Sequence, residues 1–151
     1  MRESSGTGTP DSYLSIHAVS VYVRDLERSI RFYVDTLGFR LAFDSKVASG
    51  QRAVAVAPPD GSVVLSLVQP APDSTHAKMI GRATQVVFVT EHLTALYGEW
   101  RRRGVRFKST PRLRRVSYES LTVHDGPGVG GSETAWGGMF VRFEDVDRNS
   151  F

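Results

Sequence analysis

The side chains that could do chemistry in this chain are few and dispersed. Four histidines are present and no cysteine, so thiolate catalysis, disulfide frameworks and cysteine-based metal sites are excluded. His124 stands before Asp125 at the start of a glycine-rich run, DGPGVGG, that ends at Gly131. It could serve as an acid or base if it faces a pocket, but no second group is placed by the sequence to work with it. His76 falls in a stretch rich in Pro, Ser and Asp, and His92 opens a helical pattern; both read as solvent-exposed. His17 begins an alternating apolar run. The glycine-rich run lacks the Lys-Ser/Thr pair and the strand-then-helix setting of a phosphate-binding loop. It reads as a long connection or lid beside a pocket, with Trp136 just beyond it facing the same pocket. From Arg101 to Arg115 there are eight Arg or Lys and no acid. Phe107 is the sole interleaved aromatic, so this run reads as solvated surface, and nucleic-acid binding is disfavoured.

The elements that must position these groups are organised around His17 to Phe39. Val19, Val21 and Val23 alternate with Ala18, Ser20 and Tyr22, the period of a half-buried strand. Asp25 is placed to cap a helix. Leu26, Ile30, Tyr33, Val34 and Leu37 then form one apolar stripe, and Gly38 ends it. Shifting the sequence by 66 residues lays Val87-Phe88-Val89 on Val21-Tyr22-Val23 and Gly104 on Gly38, an internal duplication. Thr90 is the matching cap and Glu91 to Arg103 the matching helix. Further strands are predicted at Phe39–Lys46, Gln51–Ala57, Ser62–Val68, Val105–Lys108, Tyr118–His124 and Gly138–Glu144.

The string D-L-x-x-S-I-x-F-Y-x-x-x-L-G-F, from Asp25 to Phe39, resembles the opening module of the vicinal oxygen chelate superfamily, which includes glyoxalases, bleomycin-resistance proteins, fosfomycin-resistance proteins and extradiol dioxygenases. The resemblance implies an α+β fold of two βαβββ modules in tandem, with curved mixed sheets enclosing a cleft. Residues 1–13 would be a flexible arm, 14–70 the first module, 71–81 a linker and 82–151 the second module. Metal enzymes of the family carry four His or Glu ligands on cleft-facing strand positions. The first, seven residues before the capping aspartate, corresponds to Ala18; the second to Ser66; the third, the repeat of the first, to Thr84. Alanine has no donor, and hydroxyls are weak ligands for zinc, nickel or iron. A one-residue slip would bring in His17 and Gln85, still a poor pair, and strand alternation turns His17 toward the helix. The fourth ligand would follow the D-V-D-R-N turn at Asp145–Asn149 by about three residues, beyond Phe151.

The expectation is therefore a metal-independent small-molecule-binding protein, sequestering or sensing a small organic ligand in a cleft lined by Ala18, Tyr22, Ser66, Thr84, Phe88 and Trp136, with no cofactor. The alternative is a divalent-metal-dependent glyoxalase-type lyase or dioxygenase. The resemblance also implies a homodimer. At 151 residues and net charge +3, one soluble domain of ordinary composition is expected. The absence of a signal-peptide core or a spanning apolar run agrees with a cytoplasmic protein. The turn at Asp145–Asn149 should lead into one more strand, so the second module is expected to continue, and an output domain beyond Phe151 is a further expectation.

Overall fold

The structure, a computed structural model, describes the backbone of residues 15–117 and 134–151 and the side chains of residues 15–113 and 138–151. The first module forms as its pattern requires. Strand β1, Ala18–Tyr22, leads to helix α1, Leu26–Arg31, whose cap is Asp25: its carboxylate accepts the Arg28 amide at 2.7 Å. The helix widens into a π turn over Phe32–Thr36 and stops at Gly38, φ +83°. Strands β2 (Arg40–Lys46), β3 (Arg52–Ala57) and β4 (Val64–Val68) follow, and the sheet order is β1-β4-β3-β2, with β1 and β4 parallel and the other pairs antiparallel. Val21, Val23, Val54, Val56, Leu65 and Leu67 bury one face of this sheet beneath Phe32, Tyr33 and Leu37.

In the second half, helix α2, Leu93–Arg102, starts two residues later than predicted. Thr90 Oγ1 accepts the His92 amide instead of capping the helix. The helix ends as its counterpart does: Gly104 has φ +88°, and the Val105 amide donates to Trp100 O at 2.9 Å. In α1 the equivalent bond runs from Phe39 to Tyr33, one residue further back, because the π turn holds an extra residue. Strands β5 (Arg106–Phe107) and β8 (Phe143–Glu144) pair, as do β6 (Arg112–Ser117) and β7 (Thr134–Phe140). The predicted strand Gly138–Glu144 is thus split between β7 and β8, and β6 lies outside the predicted strand ranges. The predicted strand Tyr118–His124 and the glycine-rich run lie outside the described residues.

The duplication breaks down at Val87-Phe88-Val89. Val21 and Val23 are buried, but Val87 and Val89 are 62% and 88% exposed, and it is Phe88 that turns inward. Gln85 explains the reversal: its φ is +62°, and one left-handed residue in an extended run interrupts the two-residue alternation. Phe88 packs on Phe39 and Phe151 with centroids 5.4 and 5.5 Å apart, and Phe143 stacks on Phe151 at 5.1 Å and meets Trp100 at 5.0 Å.

A buried polar turn ties the halves together. Asp145 accepts from the amides of Asp147 and Asn149, from Asn149 Nδ2 and from the Tyr33 hydroxyl, at 2.8 to 2.9 Å. Asn149 Nδ2 also donates to Tyr22 O at 2.9 Å, while its Oδ1 accepts the Gly81 amide at 2.8 Å. Asp147 accepts the Arg24 amide at 2.9 Å and pairs with its guanidinium at 3.2 Å. Burial pushes Asp145 above the usual carboxylate value, against the pull of its hydrogen bonds. Burial, and then the charge of Asp145, holds Tyr33 well above its ordinary value. No helix among the described residues is long and apolar enough to cross a membrane.

Candidate functional site

The side of the first sheet away from α1 carries the groups that can meet a ligand. Residues paired across strands share a face, so the registers Ser20–Ser66, Ser66–Ala55 and Ala55–Phe43 define one row from edge to edge. The row is small in its middle and aromatic at its β2 end, where Phe43 is 49% exposed. Phe43 reaches this side through a bulge: Leu41 pairs with Val56 and Phe43 with the adjacent Ala55, skipping Ala42. At the β1 edge, Tyr22 is half-buried and stacks on His76, with centroids 5.0 Å apart and planes 17° from parallel. His76 is set by a 3₁₀ turn, Thr75–Met79, capped by Ser74, whose hydroxyl accepts the Ala77 amide at 3.2 Å.

Of the predicted cleft residues, Ala18, Tyr22 and Ser66 share this face. Thr84 is half-buried, donates its hydroxyl to Ser150 O at 3.0 Å and accepts the Val86 amide at 3.2 Å. Phe88 belongs to the aromatic core and not to the open face, a correction that follows from the left-handed Gln85. The Trp136 side chain, like His124, lies outside the described residues. His17 is exposed just before β1, so it does not pack under the helix as alternation predicts. Phe43 and the Tyr22–His76 stack are the additions; nothing in the sequence marks the bulge or separates His76 from an ordinary linker residue.

The donor set does not fit a transition metal. At the three matching positions Ala18 offers nothing, Ser66 a hydroxyl, and Thr84 a hydroxyl already engaged with the backbone. Among the described residues no three His, Cys, Asp or Glu side chains converge.

The family model for the glyoxalase/bleomycin resistance protein/dioxygenase superfamily matches residues 15–119. The chain belongs to this superfamily. A superfamily member from Sphaerobacter thermophilus DSM 20745 is similar in structure at a TM-score of 0.71 and 27% identity, covering 92% of this chain and 94% of that one. TnmS3, an antibiotic binding protein from Streptomyces sp. CB03234, is similar at 0.61 and 28%, covering 92% and 93%. UcmS2, at 0.67 and 21% identity over 92% and 96%, shares the fold. No curated protein matches the sequence. The first half of the chain has the element order β1-α1-β2-β3-β4.

Proposed function

We propose that the open face of the first sheet binds a flat organic molecule of antibiotic type, without a metal, and that the protein acts by sequestering or sensing it. The observation carrying this reading is the Ser20–Ser66–Ala55–Phe43 row beside the Tyr22–His76 stack. Small side chains leave the floor of the sheet accessible. The aromatic edges, three strand spacings apart, stand about 14 Å from each other at about 4.8 Å per strand, enough for a fused-ring system. Apolar lining with a few hydroxyls suits such a ligand. The resemblance to an antibiotic binding protein supports the ligand class, and the poor donor set argues against the metal-dependent lyase or dioxygenase.

The test is a fluorescence titration with a panel of planar antibiotics, daunorubicin among them, in the presence of a chelator. Binding should survive the chelator, and Tyr22→Ala and Phe43→Ala should each weaken it about 5- to 10-fold, since aromatic packing contributes about 0.5–1.5 kcal/mol beyond area burial. Binding that appears with added zinc or manganese alone, or that ignores both substitutions, overturns the proposal.

A homodimer is part of this reading. Leu113 and Met139 are cross-strand partners and both at least half exposed, and Val87 and Val89 add further apolar surface. Such surface is what association covers.

A further inference from the structure

A cavity of about 440 Å³ opens between α1 and the second half of the chain, and none of its lining residues belongs to the open face. Its charged lining is Arg28 from α1, Arg103 and Arg106 near the end of α2, Arg148 from the buried turn, and the carboxylates of Glu144 and Asp145. The charges do not balance locally. Asp145 is spent on Tyr33, Asn149 and two amides. Arg103 is spent on Glu99 and the Thr36 carbonyl. That leaves Glu144, 8% exposed at its side chain, with Arg106 and Arg148 at 3.9 and 3.7 Å from Oε2 and Lys108 at 3.4 Å from Oε1. The two guanidinium distances are too long for hydrogen bonds, and one carboxylate offsets one of the three cations. Arg28 adds a fourth, with a single 3.4 Å bond to Val146 O.

Two uncommon backbone features frame the same cavity. The π turn supplies Phe32 and Thr36 to one wall, and π turns concentrate at functional sites. Arg148 has φ +70°, a conformation glycine adopts without cost and a long side chain does not. The buried turn fixes that backbone, with the Arg148 amide donating to Asp145 O at 3.1 Å, and so places a fixed arginine on the wall of a cavity already rich in arginine.

We propose that this cavity binds a tetrahedral oxyanion, held by Arg28, Arg106 and Arg148, either as free phosphate or as the phosphoryl end of a small metabolite. Guanidinium forks match phosphate geometry and carry donors that Glu144 leaves open. A volume of about 440 Å³ falls in the range of small-molecule pockets and leaves room for an organic group beside the anion. The site is independent of the open face, so Phe43→Ala should leave it intact.

The experiment is calorimetric titration of the full chain with inorganic phosphate, with glycerol 3-phosphate and with a 12-nucleotide RNA, at constant ionic strength set with chloride. Phosphate or glycerol 3-phosphate should bind in the millimolar range or tighter, and the tighter of the two identifies the source. The double variant Arg106→Gln/Arg148→Gln should weaken binding at least 10-fold, and Arg28→Gln, which leaves Glu144 and its partners untouched, about 3- to 10-fold. Far-UV circular dichroism confirms that each variant is folded. No heat beyond that of chloride, or undiminished binding by both variants, overturns the site. RNA binding more than 10-fold tighter than glycerol 3-phosphate overturns it in favour of a polyanion surface.

Discussion

Replacing Asn149 with alanine tests whether the buried turn holds the two halves together. The substitution removes three hydrogen bonds, to Tyr22 O, to Asp145 Oδ2 and from the Gly81 amide. The backbone groups at Tyr22 and Gly81 are partly buried, so water recovers some of each loss; about 1 kcal/mol apiece is the expected cost. Asp145 is buried and loses a donor to its carboxylate, worth about 1.5 kcal/mol more. The total is about 3–4 kcal/mol, a large part of the roughly 5–15 kcal/mol that stabilises a domain. At about 2–4 °C per kcal/mol, Tm should fall by about 10 °C. A thermal melt measures the fall in Tm, and urea unfolding followed by circular dichroism and tryptophan fluorescence measures the free-energy loss, since Trp100 is buried against Phe143. A loss below about 1 kcal/mol with an unchanged m-value would refute the reasoning.

Ser29 is fully buried, and among the described residues its hydroxyl has no partner; Ser29→Ala should stabilise by about 0.5–1 kcal/mol in the same assay, and destabilisation would reveal a bond the geometry lacks. Asp44 is held below the usual 3.8 by its two 2.7 Å bonds from Arg52. Its stabilising contribution is therefore present above that value and lost as the pH falls through the lower folded one, so Asp44→Asn should flatten the acid limb of a stability–pH profile; an unchanged limb counts against the pairing. Asp145, raised by burial, acts with the opposite sign: its contribution is greatest below 3.8 and declines as the pH rises through its folded value. Leu113→Glu with Met139→Lys should lower the sedimentation-equilibrium mass from dimer to monomer at micromolar concentration; a wild type already monomeric removes the dimer proposal.

The first module was legible because its signals are local. Asp25, the stripe from Leu26 to Leu37 and Gly38 each act within one or two turns, and the alternating valines declare their buried face without reference to the rest of the chain. The second half obscured its burial pattern through one residue: Gln85 is left-handed without being glycine, and no composition rule marks it. Phe43 was hidden for a related reason. Simple alternation puts it beside Leu41, and the bulge at Ala42 moves it across. The turn at Asp145–Asn149 could be recognised as a turn, but its partners at Tyr22, Arg24 and Tyr33 lie more than a hundred residues away, beyond the reach of spacing arguments. The arginine cavity is not legible in the sequence: Arg103 and Arg106 belong to a run that reads as solvated surface, and Arg28 and Arg148, which complete the cavity, lie far from it in sequence.

That same separation sets an order of events during synthesis. The Tyr22 carbonyl and the Tyr33 hydroxyl receive their partners from Asn149 and Asp145, so the first module leaves the ribosome with these groups unmatched. At about 5–20 residues per second, the interval before Asn149 is made is several seconds or more, far longer than helix or hairpin formation. During that interval the nascent sheet and helix stand half-locked, with β2 an open edge. The closing turn therefore behaves as a late latch, and its loss would be felt first in the yield of folded protein from living cells.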